Sequence, residues 1–157
     1  QHHYMVQERY DRLLKKNSAR HAFEKLKEDG VIRHIGVTGH SARILSDAIE
    51  HYDYDCVLVP LNAAGSILQD SEYIDRFFRL TAQKNMGVIA MKVFGGGGLI
   101  GRGLTPKQLL YYTMSQPVST TIVGISQMAH LEENVRNAKQ FKPLTDEELM
   151  DLKAVVQ

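Results

Sequence analysis

VIRHIGVTGHSARILSDAIEHYDYDCVLVP, residues 31–60, carries a strand pattern, a helix pattern and a second strand pattern in succession. Val31, Ile32, Ile35 and Val37 are apolar and β-branched. Thr38-Gly39-His40-Ser41 then breaks the run with small and polar groups. Ser41 can cap the helix that follows, whose Ile44, Leu45, Ala48, Ile49 and Tyr52 share one side. The run from Cys56 to Val59 is apolar without alternation, which suits a strand covered on both faces. Two such strands joined by a helix make a parallel pair with a right-handed crossover.

The same unit recurs outward. Apolar runs at Val88–Met91 and Val118–Ile125 predict two more strands. Ser18 can cap a helix with Ala19, Ala22, Phe23 and Leu26 on one face, ending at Gly30. Ser71 opens another, with Ile74, Phe77 and Phe78 facing in. Thr105-Pro106 is a cap followed by proline at the first helical position, ahead of Leu109, Leu110 and Met114. Leu131, Val135 and Ala138 mark a further helix, and Thr145 with Glu148 is a capping box for the last. Strand and helix alternate four times between a leading and a closing helix, so the class is α/β with a parallel sheet. An open doubly wound sheet and half of a (β/α)8 barrel both fit; a whole barrel typically needs about 250 residues, and this chain has 157.

Composition narrows the function classes. At 43% apolar and 24% charged the chain reads as one globular domain spanning residues 1–157. A net charge of +1 gives no electrostatic case for nucleic acid or an anionic membrane, and no apolar run is long enough to span a bilayer. The single cysteine, Cys56, cannot form an internal disulfide and fits a reducing compartment. No His, Asp and Glu cluster has metal-ligand spacing, and no serine sits in a G-x-S-x-G elbow. The opening Gln1-His2-His3-Tyr4 has no initiator Met and reads as cut from something longer, or as part of a tag.

In either architecture ligands bind at the carboxyl ends of the strands. The first end is Thr38-Gly39-His40-Ser41, and the second, Pro60 to Gly65, contains Asn62. The third is Lys92-Val93-Phe94 followed by Gly95 to Gly98. Four glycines beside a lysine let the backbone approach a ligand and expose N–H groups to a phosphate, although a glycine run is as often only a surface loop. The run overlaps G-x-G-x-x-G trivially and opens no helix there. The fourth end, Gly124-Ile125-Ser126-Gln127, precedes a helix N-terminus able to hold an anion. Glu133 and Asn134 stand early in that helix. His34 reads as a rim residue, and His21 and His51 as solvated.

Taken in order, these strand ends resemble the C-terminal half of the aldo/keto reductases. GVIRHIGVTGHS resembles that family's fifth-strand motif, VIAMKVFGGGGL its seventh strand, TTIVGISQMAHLEENV its eighth strand and helix, and FKPLTDEEL its closing helix. TGHS with AMKVF resembles a branch sometimes fused to iron–sulfur domains, but one cysteine carries no cluster. The resemblance implies a (β/α)8 TIM-type barrel, of which this chain supplies about the last four β/α units and a closing helix. It implies NADP or NAD as cofactor and a small carbonyl compound as substrate. By position, Thr38 and Gly39 match the pair near the nicotinamide carboxamide, and Asn62 falls at the sixth-strand amide. Met91 stands where an aromatic ring usually stacks. Lys92, Phe94, Gly95 and Gly96 match the pyrophosphate-side loop. Gly124, Ser126, Gln127 and His130 fall where the family grips the adenosine 2′-phosphate, with Gly124 and His130 in place of frequent Lys and Arg. Glu133 and Asn134 match the adenine-side pair.

The family's chemistry uses Asp, Tyr, Lys and His from the first four strand ends, the Tyr acting as a general acid with its pKa lowered by the Lys. No segment here matches the first three strands; QHHYM resembles a remnant of the fourth, which makes His2 the candidate catalytic histidine against a tag residue. The expectation is therefore a cytoplasmic carbonyl reductase's cofactor-binding half, which pairs with an N-terminal half or self-associates. The rival readings are a non-catalytic nucleotide-binding or scaffold module of the same fold, and an unrelated barrel enzyme with a phosphate site.

Overall fold

The computed structural model describes residues 3, 4, 8, 11, 12, 14, 15 and 17–156. Five strands and six α-helices are formed among them. In chain order they are β1 (His3–Tyr4), α1 (Ala19–Glu28), β2 (Gly36–Gly39), α2 (Ala42–His51), β3 (Cys56–Pro60), α3 (Ile74–Gln83), β4 (Gly87–Met91), α4 (Pro106–Met114), β5 (Thr120–Thr121), α5 (Met128–Lys139) and α6 (Asp146–Val156). The chain divides into two compact units. The first comprises the described residues up to Val59 with Leu68–Val88, and the second Pro60–Ile67 with Ile89 onward.

In the first unit β2 pairs in parallel with β1 and with β3; Val37 lies opposite Val57 and Thr38 opposite Leu58. A parallel pair needs a crossover, and α2 supplies it. Its N-terminus is fixed by Ser41, whose Oγ accepts the Ile44 N–H at 3.1 Å and donates to the Asp70 carboxylate. Its inner stripe of Ile44, Leu45, Ala48 and Ile49 is buried with Val37, Val57, Val59 and Phe77. Arg76 on α3 ties down the outer side of α2, reaching Asp47 at 3.0 Å and Glu50 at 2.8 Å.

The predicted strand Val31–Val37 forms later than the pattern implied. Val31 is 67% exposed and β2 begins only at Gly36. A side chain sets the entry: the Asp55 carboxylate accepts the Ile35 N–H at 2.7 Å, while the Asp55 N–H donates to the Ile35 carbonyl at 2.8 Å. Lys27 and His34 also reach this carboxylate, at 3.0 and 3.3 Å. The Ile35 N–H, with help from the Lys27 ammonium and the hydrogen bond from His34, holds the Asp55 carboxyl down at about 2.

In the second unit β4 pairs in parallel with β5. Its core joins Ala63, Val93, Leu99, Leu104, Leu109, Leu110 and Tyr112, with Leu149, Leu152 and Val156 of α6 packed against it. Two capping boxes set the helix starts, Thr105 with Gln108 for α4 and Thr145 with Glu148 for α6. The expected strand Val118–Ile125 shrinks to Thr120–Thr121, although the Ile122 N–H still bonds the Ala90 carbonyl at 2.8 Å. Ile122 and Ile125, and Leu131 and Val135 on α5, remain exposed.

Candidate functional site

The polar groups that end β2 have internal partners. Thr38 is buried, and its hydroxyl donates to the Leu58 carbonyl at 2.9 Å, linking β2 to β3. Ser41 caps α2 as the pattern predicts. The strand thus stops in hydroxyls partly because β3 and α2 use them, and Thr38 keeps oxygen lone pairs for a further donor. Gly39 lies beside it in the first unit.

In the second unit, the chain leaving β4 turns sharply. Lys92 takes φ of +61°, and Gly95, Gly96 and Gly97 follow at +58°, +70° and +95°. Such left-handed values are open to glycine and strained for residues bearing a Cβ. At Gly95 a Cβ would also lie 2.9 Å from Leu99 Cγ, so that glycine is required by packing as well. The loop spends most of its own donors. The N–H groups of Gly95, Gly97 and Gly98 bond the carbonyls of Lys92, Phe94 and Gly95. Among the described residues only Gly96 of the four has an N–H without an internal acceptor, so the expected row of free amides contracts to one.

Asn62 holds the base of this loop and is 2% exposed. Its Nδ2 donates to the carbonyls of Ser66 and Lys92 at 3.0 and 3.1 Å. Its Oδ1 accepts from the Ser66 N–H and Oγ, both at 3.2 Å. Both ends of the amide are occupied, which makes Asn62 a positioning residue for the Lys92 corner; expected as a cofactor contact, it has no side-chain donor left to offer.

Six of the residues singled out from the sequence line one cavity of about 460 Å³: Phe94, Gly96, Gly124, Ser126, His130 and Glu133. Gly97, Ile100, Pro106 and Ile125 complete it. Gly97 and Ile125 belong to the strand ends already singled out; Ile100 and Pro106 do not, because an isoleucine after a glycine run and a proline at a helix start read as structure, and the 52% exposure of Ile100 is the signal that reveals it. In its lining Ser126 Oγ and His130 Nδ1 lie 3.1 Å apart. Gln127 occupies the N-cap of α5, but its side chain makes no capping bond, so among the described residues the first turn of α5 has no side-chain cap. Lys92, Gly95 and Gln127 do not line the cavity.

Glu133 and Asn134, expected as a pair, part company. Asn134 lines a second cavity of about 550 Å³ with Leu110, Met114, Val123 and Phe141. Consecutive residues on a helix do not face the same way. The Asn134 amide nitrogen is buried without a hydrogen-bond partner among the described residues. Burial raises the Cys56 thiol pKa, which leaves it a poor nucleophile. His2 lies outside the described residues, whose helices include none long and apolar enough to cross a membrane.

Comparison with known families gives one decisive match. The model of the aldo/keto reductase family fits residues 9–110, well over half of the chain. The chain belongs to the aldo/keto reductase family. Among solved structures, this aldo/keto reductase chain superposes on aldo-keto reductase AKR11C1 from Bacillus halodurans. The holo form gives a TM-score of 0.70 at 18% identity, over 90% of this chain and 56% of the other. The apo form gives 0.68 at 18% identity, over 87% and 56%. At that identity the likeness shows the fold: α/β of the TIM-barrel type, with this chain supplying part of it. The chain spans little more than half the length of these structural neighbours. No curated protein matches it.

Proposed function

We propose that this chain is the cofactor-side portion of an NAD(P)H-dependent carbonyl reductase, and that the cavity lined by Gly96, Gly124 and Glu133 receives the adenosine end of the dinucleotide. One observation carries the reading: strand-end residues selected for cofactor contact from two separate segments meet around a single cavity. The donor set fits the group. Phe94 and Ile125 give apolar walls for a base, Ser126 and Glu133 offer polar partners to ribose, and the Gly96 N–H with the uncapped first turn of α5 can face phosphate oxygens. For Thr38 and Gly39, in the first unit, the motif alone supports contact with the carboxamide. When bound, the nicotinamide supplies a hydride to a carbonyl carbon; this chain's described residues bind and orient.

The Tyr that protonates the carbonyl oxygen, with its Asp and Lys, belongs to the part of the barrel that this chain does not supply, and His2 is the candidate catalytic histidine. We therefore place the chain in the cytoplasm beside a complementary barrel portion or a second copy. Exposed Ile122, Leu131 and Val135 along β5 and α5 support that pairing, because β5 is an edge strand among the described residues and apolar side chains beside such an edge favour association. The test is in two parts. Nicotinamide fluorescence should reveal saturable dinucleotide binding by the chain, and its absence would remove the cofactor reading. Aldehyde-dependent oxidation of the bound dinucleotide separates an enzyme from a binding module: none is expected from the chain alone, and turnover should appear with the complementary portion.

A further inference from the structure

We propose that Asp70 is a positioning residue for the nicotinamide end of the cofactor, acting through Ser41 on the strand end that carries Thr38 and Gly39. This rests on the reading that a dinucleotide binds and that Thr38 and Gly39 meet its carboxamide. It adds the group outside β2 that holds them in place.

The segment after β3 returns to the carboxyl end of β2 and is fastened there within the first unit. Gln69 forms an isolated parallel bridge with Ser41. Its N–H donates to the His40 carbonyl at 2.5 Å, and its carbonyl accepts the Ala42 N–H at 3.0 Å. The Asp70 carboxylate completes the latch by accepting from the Ser41 hydroxyl. Ser41 is fully buried, and the same oxygen accepts the Ile44 N–H at 3.1 Å. One buried hydroxyl therefore joins the loop, the end of β2 and the first turn of α2. On the other side of Gly39, the Thr38 hydroxyl donates to the Leu58 carbonyl at 2.9 Å. With its proton committed, that hydroxyl presents acceptor lone pairs in a fixed direction, which is what the –NH2 of a carboxamide requires.

Local structure does not account for Asp70. An aspartate that opens a helical turn ordinarily accepts an N–H of that turn. Asp70 opens the 3₁₀ turn Ser71–Tyr73 without such a bond and spends its carboxylate on Ser41 instead. Its backbone stands at φ of +52°, and Ile67 just before it at +74°. Such values disfavour any residue with a Cβ, a β-branched one most of all. Backbone of this kind persists only where its surroundings impose it, and it gathers at ligand clamps.

Calorimetric titration with NADH and with ADP-ribose tests the assignment, since ADP-ribose keeps the adenosine and both phosphates but lacks the nicotinamide. The unaltered protein should bind NADH more tightly than ADP-ribose. Asp70→Gly removes the carboxylate and suits the left-handed backbone. It should weaken NADH about tenfold, the worth of one hydrogen bond to a charged group, and leave ADP-ribose within about twofold. Asp70→Asn keeps an oxygen to accept from Ser41 and tolerates the same backbone, so it should retain the preference for NADH. Equal weakening of both ligands in Asp70→Gly would make Asp70 a structural tie only and overturn the proposal. No weakening of either ligand, or an asparagine variant that behaves as the glycine one, would overturn it too. If the unaltered protein binds NADH and ADP-ribose equally, the nicotinamide is not read at β2, and the role of Asp70 falls while the adenosine reading stands. If neither ligand binds, the cofactor reading and the role of Asp70 fall together.

Discussion

Replacing Asn62 by alanine tests whether this amide builds the loop after β4. The side chain makes four hydrogen bonds, two donated to the carbonyls of Ser66 and Lys92 and two accepted from Ser66. At about 1 kcal/mol net for each, with two sharing one oxygen, truncation should cost about 3 kcal/mol. For a chain of 157 residues this corresponds to a fall in Tm of roughly 6–12 °C. Asn62→Asp keeps the acceptors but sets a second oxygen against two carbonyls, so its loss should be at least as large. Circular dichroism melts at pH 7 measure both. If Asn62→Ala stays within about 2 °C of the unaltered protein, the amide is not holding the Lys92 corner, and direct contact with a ligand regains ground.

Three further outcomes follow from particular contacts. Asp55→Asn should destabilise by about 1–2 kcal/mol at pH 7 after allowance for partial exposure. Because the folded carboxyl titrates at about 2 against 3.8 when free, that contribution is complete above the free value and disappears as pH falls toward 2. Urea titrations at neutral and acid pH should show the two proteins converge. Gly95→Ala, which meets Leu99 Cγ at 2.9 Å and sits at positive φ, should destabilise more than Gly96→Ala, which has open space and only the backbone penalty of about 1–2 kcal/mol. Equal losses in melts of the two variants would contradict the packing assigned to Gly95. The chain alone should self-associate in light scattering, and the double variant Leu131→Glu, Val135→Glu should reduce that association; no change would show that α5 is not the contact.

The sequence was most informative where local pattern and packing agreed. β3 and β4 fall within a residue of their apolar runs, with one face of each buried and the other half-buried, so no residue in either is fully exposed. The capping boxes of α4 and α6 are local by nature and were legible as such. The start of β2 was not, because it depends on the Asp55 carboxylate bonding an N–H twenty residues away. β5 was overestimated because Val118–Ile125 has the apolar content of a two-faced strand, while Ile122 and Ile125 stay exposed among the described residues. At the site, residue type located the cavity's edges, as with Phe94, Gly124 and Ser126. It could not reveal that the glycine loop consumes its own amides, that Asn62 is committed to Ser66 and Lys92, or that Glu133 and Asn134 serve different cavities.

Amide chemical-shift mapping during addition of NADH tests the central claim most directly. Gly96, Gly124, Ser126, His130 and Glu133 should shift together and saturate on one curve, since they line one cavity. Shifts confined to other residues, or scattered without saturation, would contradict the assignment of this cavity to the cofactor.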